Sequence, residues 1–137
     1  MSFGQQFRAQ KWATRDYKQG EIYLADDKKI SMPDMPREYH VERPVVILYN
    51  HPLNRDPLYP LVIAAPLTTR IDYKHSSDLE LFADKDGVRS DSLLKMNLVQ
   101  PFVKVELSER PIGCLTQDAV DRMLALMVDL LGIDTSQ

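Results

Sequence analysis

The sequence predicts a mainly β (α+β) protein, a small antiparallel barrel followed by one C-terminal α-helix. Several short runs of β-branched and aliphatic residues are separated by turn residues, which is typical of strands joined by tight turns. One segment near the C-terminus, Thr116 to Leu131, instead repeats its apolar residues at helical spacing. Many short antiparallel strands are best accommodated in a strongly curved, barrel-like sheet. At 137 residues the chain corresponds to one domain, large enough to form a core without disulfides.

The chain begins with an extension that we separate from the barrel. Residues 1–18 are polar with scattered basic residues, and a loosely packed extension is the favoured interpretation. Three large apolar side chains of the extension could dock on the barrel: Phe3, Phe7 and Trp12. The barrel domain is placed at residues 19–137. Its first strand is predicted at Ile22 to Ala25, after the turn residue Gly20.

Two apolar runs form the centre of the predicted sheet. Val45 to Leu48 and Leu61 to Ile63 are β-branched or aliphatic, so both are predicted as buried strands. Arg43 lies at the start of the first strand, and Thr68 and Thr69 lie at the end of the second. If the two strands pair antiparallel, the start of one lies beside the end of the other. A guanidinium and two hydroxyls would then meet in one place.

Three more strands are predicted before the helix. Leu79 and Leu81 alternate with acidic residues, which indicates a strand with one exposed face. Ser92 to Gln100 and Phe102 to Leu107 are predicted as two further strands, separated or bent at Pro101.

The predicted helix has signals at both ends. Thr116 suits an N-cap, and Gly132 suits the C-terminal cap. Its apolar stripe is expected to pack on the sheet or on a partner, and consists of Val120, Met123, Leu124, Met127, Leu130 and Leu131.

The longest connection lies between the first two strands. Asp26 to Glu42 spans seventeen residues, contains two prolines and lacks an apolar period. A loop of this length in a small domain is usually a lid, a binding loop or disordered.

Composition restricts the class of protein. The apolar fraction of 44% and the charged fraction of 27% are those of ordinary globular proteins. A net charge of −3 argues against a general nucleic-acid coat but allows a local basic patch. The single cysteine, Cys114, fits a reducing compartment. No apolar run is long enough to span a membrane. The N-terminus also lacks the apolar core of a signal peptide. We therefore expect a cytoplasmic protein without membrane contact.

Several kinds of site are absent from the pattern. The three histidines, His40, His51 and His75, and the cysteine are too far apart in sequence for metal-ligand spacing. The five glycines never cluster into a phosphate-binding loop, and no nucleophile motif occurs. We therefore expect neither a metal nor another cofactor.

Two features are ambiguous on pattern alone. Arg43 beside Thr68 offers phosphate-binding donors, but an arginine at a strand start is more often a solvated rim residue. The segment Arg70 to His75 combines cations with Tyr73, which suits single-stranded RNA, yet it fits an ordinary solvated hairpin loop equally well.

Three motifs occur in a fixed order along the chain: Gly20-Glu21-Ile22-Tyr23-Leu24, Arg43-Pro44 before an aliphatic strand, and Ala65-Pro66-Leu67-Thr68-Thr69 after another. Through these motifs the chain resembles the MazF/PemK toxin family. Glu38 stands at the spacing of the family's glutamate, five residues before Arg43. The resemblance covers roughly residues 19–132.

This resemblance implies an SH3-like barrel and the toxin of a type II toxin–antitoxin system. Such a toxin is a metal-independent endoribonuclease that cleaves single-stranded RNA through attack of the 2′-OH. It implies a homodimer that is neutralised by a cognate antitoxin and binds DNA with it. The implied catalytic residues are Arg43, Thr68 and Glu38. The implied RNA-binding residues are Thr69, Arg70, Tyr73, Lys74, His40, Asn97 and Gln100.

The sequence departs from the family in one motif. Many relatives carry an Asp/Glu-Gln-x-Arg stretch after the fourth or fifth strand, where this chain has Asn97 to Gln100. Gln100 replaces the arginine and Asn97 replaces the acid, so the reaction would use Arg43 alone or activity would be weak or lost. The alternative hypothesis is a non-catalytic member that binds protein, as an antitoxin decoy or like the gyrase-poisoning toxins.

Overall fold

The computed structural model describes residues 15–134. Within them, seven antiparallel strands form a curled half-barrel sheet that is followed by one α-helix. This confirms the predicted fold class, although the sequence predicted only six strands and did not indicate the short strand at Gly113–Cys114. The elements are β1 (Glu21–Asp26), β2 (Glu42–Ile47), β3 (Leu61–Thr68), β4 (Asp78–Leu81), β5 (Ser92–Lys95), β6 (Gln100–Val103), β7 (Gly113–Cys114) and α1 (Gln117–Leu130).

The sheet curls because two strands share one edge of β3. The strands run in the order β4-β5-β3-β2-β1-β7, and β6 also pairs with β3. β6 pairs with residues 61–64 of β3, whereas β5 pairs with residues 67–68. The same edge of β3 therefore pairs first with β6 and then with β5 along its length, and this change of partner bends the sheet around the core.

The two faces of the sheet are covered by different parts of the chain. Alternate residues of a strand point to opposite faces, so Val46 packs toward α1 while Val45 packs away from it. On the α1 face the core includes Met123, which is completely buried. Burial of each large apolar side chain contributes about 1.5–3 kcal/mol. On the other face, Ile30 and Met32 of the β1–β2 connection close the core.

The ends of α1 agree with the sequence signals. The Thr116 side chain accepts a hydrogen bond from the N–H of Ala119, and Gly132 adopts a left-handed φ of 73° just after the helix. The C-terminal end of the helix exposes three apolar residues: Leu130, Leu131 and Ile133.

The last two predicted strands are shorter than expected. β5 ends at Lys95 instead of Gln100, because the N–H of Leu98 bonds to the Lys95 carbonyl and starts a turn. β6 ends at Val103, and Lys104–Glu106 form a 3₁₀ turn. The Lys104 ammonium donates to the carbonyls of Leu53 and Asp56, which takes this segment out of the strand.

The structure adds detail to two predicted regions. In the β1–β2 connection, Ile30 and Met32 are core residues, whereas Tyr39 and Val41 are exposed. Tyr17, near the end of the predicted extension, is buried, and its hydroxyl donates to the Lys104 carbonyl at 3.1 Å. Phe3, Phe7 and Trp12 lie outside the described residues. Within residues 15–134, no helix combines the length and apolar character needed to cross a bilayer.

Candidate active site

Arg43 is held rigidly beside the end of β3. β2 and β3 pair antiparallel with Val45 opposite Pro66, so the start of β2 meets the end of β3 as the sequence predicts. Arg43 is buried, with only 8% of the residue exposed. Its Nη1 donates to the Leu67 carbonyl at 3.2 Å, and its Nε donates to Asp27 Oδ1 at 2.8 Å. Its Nη2 also donates to Asp27, at 3.4 Å from Oδ2.

Asp27 is the centre of a buried ionic cluster that sequence reasoning missed. Its carboxylate is fully buried and accepts hydrogen bonds from Arg37 and from the backbone N–H of His40, as well as from Arg43. Burial opposes ionisation, but these donors and the two positive charges outweigh it and hold the pKa of Asp27 below its ordinary value. Two arginines share one carboxylate, so the cluster keeps a net positive charge.

The position of Asp27 in the sequence indicates its role only when the pairing register of β1 and β2 is known. Asp27 follows β1 directly, and in the β1–β2 pair Ala25 lies opposite Arg43. This register brings the first residue after β1 to the same end of the sheet as Arg43. No sequence spacing identifies Arg37, which reaches Asp27 only because the connection folds back.

Thr68 is the second predicted catalytic residue, and the structure places it at this strand end. It is buried, and its Oγ1 accepts a hydrogen bond from the N–H of Arg70 at 3.2 Å. A hydroxyl that accepts one bond can still donate its own proton. Thr69 follows it and is exposed.

The connection between β1 and β2 brings other predicted residues toward Arg43. Glu38 and His40 are exposed, and only the backbone of His40 contacts Asp27. Glu38 makes no hydrogen bond or ion pair within residues 15–134. Between them, Tyr39 is 61% exposed, and its ring centroid lies 4.4 Å from the Arg37 guanidinium carbon. Tyr39, His40 and Lys28 line a cleft of about 670 Å³ beside the end of β1.

The predicted basic segment after β3 is balanced by acidic side chains. Arg70 donates to both carboxylate oxygens of Asp72, at 3.1 and 3.0 Å, and its guanidinium lies over Tyr73. Lys74 forms an ion pair with Glu80 at 2.7 Å. The segment is therefore less basic in the folded protein than its cations alone suggest.

A buried lysine beside this segment was also missed. Lys95 of β5 is fully buried and lies 2.8 Å from Asp78 and 2.9 Å from Asp34. The His75 ring contacts the Asp34 carbonyl at 3.3 Å. A lysine is rarely buried unless it is paired, but nothing in the sequence shows that Asp34 is its partner.

Gln100 and Asn97, at the position of the missing motif, occupy different environments. The Gln100 amide accepts from the N–H of Ser31 and donates to the carbonyls of Ser31 and Leu98, each at 3.0 Å. It anchors the β1–β2 connection and has no free donor directed at Arg43. Asn97 is exposed in the turn after β5.

The described residues contain no group of three or more side chains that could hold a metal ion.

A family model for PemK-like, MazF-like toxins of type II toxin–antitoxin systems matches residues 18–130. The chain belongs to this toxin family. The resemblance proposed from the strand motifs is thereby confirmed, and the family match extends over most of the chain.

Solved structures share the fold of this toxin-family chain. The Mycobacterium tuberculosis toxin MazF-mt6 is 21% identical, with a TM-score of 0.61, and the match covers 83% of this chain and 98% of that one. MazF from Deinococcus radiodurans is 14% identical, with a TM-score of 0.62, covering 85% and 96%. An endoribonuclease in complex with its cognate antitoxin, from a mycobacterial species, is 16% identical, with a TM-score of 0.62, covering 88% and 98%. A comparison with curated protein sequences gave no match.

Proposed function

We propose that this toxin-family protein is a metal-independent endoribonuclease that cleaves single-stranded RNA. The substrate's own 2′-OH attacks the adjacent phosphate, and the products are a cyclic phosphate and a free 5′-OH. The observation that carries this proposal is the fixed guanidinium of Arg43, which is bonded to Asp27 and to the Leu67 carbonyl at the end of β3 that also carries Thr68. Pre-positioned donors of this kind stabilise the charge that develops on a phosphate.

Arg43 supports this role through its remaining donors. A guanidinium carries five N–H groups, and three of those of Arg43 are engaged by Asp27 and Leu67. One N–H on each terminal nitrogen is left for phosphate oxygens. Asp27 orients the guanidinium before substrate arrives, and each charge-assisted hydrogen bond is worth about 1.5–3 kcal/mol.

The other site residues are proposed to bind and orient the RNA. Thr68 donates to the phosphate, and Glu38 positions Arg43 or the RNA. The exposed or half-exposed groups proposed to contact RNA are Thr69, Arg70, Tyr73, Lys74, His40 and Asn97. Gln100, the remaining residue that the family resemblance implies for RNA binding, uses its amide to hold Ser31 of the β1–β2 connection, so its proposed role is to position that connection.

We also propose a homodimer and a cognate antitoxin as partners, in the cytoplasm. The related mycobacterial endoribonuclease was solved with its antitoxin. In this chain, Leu131 is 68% exposed at the end of α1, next to two other exposed apolar residues, and such a patch suits a protein contact. Light scattering at micromolar concentration tests the dimer, and a purely monomeric protein contradicts it.

A second candidate function is protein binding without catalysis. Two observations favour it: Asp27 already engages Arg43, and a glutamine that is tied to Ser31 replaces the family's arginine. Growth arrest that persists after Arg43→Ala would favour this function over RNA cleavage.

The deciding experiment is incubation of the purified protein with a long RNA in EDTA, followed by analysis of the fragment ends. We expect cyclic phosphate and 5′-OH ends. Cleavage of an oligonucleotide with a 2′-deoxy residue at the cut position would contradict the 2′-OH mechanism, and intact long RNA would contradict the nuclease itself.

A further inference from the structure

A second cleft opens at the same strand ends, on the opposite face of the sheet from Arg43. Its volume is about 100 Å³. Pro44, Leu67 and Thr69 form one side of it, and the turn between β4 and β5 forms another. Leu67 packs with the α1-side core. Because successive residues point to opposite faces, this cleft begins one residue away from both Arg43 and Thr68.

Arg89 brings an unpaired positive charge to this cleft. The side chain is exposed and lines the cleft, and it makes no hydrogen bond or ion pair with residues 15–134. The nearby carboxylate of Asp91 is directed elsewhere, because its Oδ1 accepts from the N–H of Ala83 at 2.9 Å. The hydroxyls of Thr69 and Ser90 also line the cleft and have no partner in that part of the chain. The cleft therefore presents several unused donors.

The turn that carries Arg89 has a fixed position. Gly87 adopts a φ of 92°, and a Cβ atom at this position would lie 2.2 Å from the Cys114 carbonyl oxygen. The preceding Asp86 is fully buried and accepts from the N–H of Phe82 at 2.8 Å. At the other end, Ser92 Oγ donates to the Ser90 carbonyl at 2.7 Å. A ligand that binds here does not have to order the turn first, which favours affinity.

The lining suits a nucleobase better than a phosphate. The walls are largely aliphatic, from Ile22, Pro44, Leu67, Val88 and Ile112, and can cover the flat face of a base. A phosphate in this cleft would place oxygen atoms against these aliphatic walls, where they would lack hydrogen-bond donors. Arginine donates through a planar fork and accepts nothing. Guanine offers the matching pair of acceptors, O6 and N7.

We propose that this cleft is a subsite that recognises a guanine base of the RNA, with Arg89 as the specificity-determining residue. The inference rests on the proposed nuclease function, since the RNA must cross the ends of β2 and β3 to reach Arg43. Unstacked bases of single-stranded RNA are commonly read in this way, by stacking and by hydrogen bonds to their edges.

The test measures binding of uridine octamers in which every 2′-OH is replaced by fluorine, so that they cannot be cleaved. One octamer contains a single central guanine, one contains 7-deazaguanine there, and one contains only uridine. We expect wild-type protein to prefer the guanine octamer over uridine by roughly 5- to 150-fold, the range of one bidentate base contact. The 7-deaza octamer should lose most of that preference, because it lacks N7.

The matched variants are Arg89→Gln and Arg55→Gln. Both remove one exposed arginine without a side-chain partner in residues 15–134, but Arg55 lies at the other end of β3, after the Pro52–Asn54 turn. Arg89→Gln should bind all three octamers equally, whereas Arg55→Gln should keep the guanine preference. Thermal unfolding midpoints equal to wild type show that both variants fold.

The outcomes separate this inference from the proposed function. Wild-type cleavage of long RNA without a guanine preference overturns the subsite and leaves the nuclease intact. A preference retained by Arg89→Gln also overturns it. Failure to cleave long RNA and to bind any octamer overturns both proposals together.

Discussion

Asp27 and Arg43 form a buried ion pair at the end of the sheet, with 2.8 Å between the Arg43 Nε and the Asp27 Oδ1. The first residue after β1 thus fixes the guanidinium on which the proposed chemistry depends. Arg37 shares the same carboxylate and continues the contact outward to the ring of Tyr39. A continuous chain of side chains therefore joins the buried arginine to an exposed aromatic surface.

Asp27→Asn should strongly destabilise the fold. It leaves two arginines near a neutral amide, and removal of one partner from a buried pair costs about 3–5 kcal/mol. Urea denaturation measures this loss. The control is Asp72→Asn, which breaks the exposed pair with Arg70 and should change the unfolding free energy far less, because solvent screens an exposed ion pair. Equal losses in both variants would contradict the importance of the Asp27 cluster.

The Asp27 cluster should also make stability depend on acid pH. The pKa of Asp27 is lower in the folded protein than its ordinary value of 3.8. Its contribution is therefore complete above that ordinary value and is lost as the pH falls through the lower, folded-state pKa. The difference in unfolding free energy between wild type and Asp27→Asn should shrink as the pH falls below about 4. A difference that is constant down to pH 2.5 would count against an ionised Asp27.

Tyr39 should act as a stacking surface for RNA. Its ring is exposed and is held by Arg37 close to the proposed site. Stacking of one base on an aromatic ring is worth about 1–3 kcal/mol by alanine substitution. Tyr39→Ala should therefore weaken binding of single-stranded RNA by that amount in an anisotropy titration. Tyr49→Ala, which removes another exposed tyrosine near the other end of the sheet, should change affinity little.

The dependence of RNA affinity on salt concentration should show whether Arg70 and Lys74 remain paired with Asp72 and Glu80. Three free phosphate contacts, from Arg43, Arg70 and Lys74, would give a slope of about −2 in log affinity against log salt. Because Asp72 and Glu80 pair with two of these cations, we expect a shallower slope. Glu80→Gln should release Lys74 and steepen the slope, and Lys74→Ala should make it shallower still. If neither Glu80→Gln nor Lys74→Ala changed the slope, the RNA would have to bind away from the Arg70–His75 segment.

The fold could be predicted because its signals are local. The strand at Val45 follows from a β-branched run, and the cap at Thr116 follows from one hydroxyl before an amphipathic segment. The strand ends after Lys95 and Val103 could not be predicted, because they depend on turn and carbonyl contacts that only the folded chain creates.

The site was predictable in part for the same reason. Arg43 and Thr68 lie at the same end of the sheet because two recognisable strands pair antiparallel. Asp27 and Arg37 belong to a connection whose path no periodicity encodes, and Lys95 is paired with Asp34 from that same connection. The acidic partners of Arg70 and Lys74 lay close in sequence, yet their pairing required side-chain positions.

The most direct test of the account is the rate of RNA cleavage by Arg43→Lys in EDTA, compared with wild type. Lysine keeps the positive charge beside Asp27 and so preserves the ion pair, but it lacks the planar fork that reaches phosphate oxygens. We expect this variant to fold with a wild-type far-ultraviolet circular dichroism spectrum and to cleave at least about 100-fold more slowly, the usual cost of losing one transition-state donor. A folded variant that cleaves at the wild-type rate would contradict the assignment of Arg43.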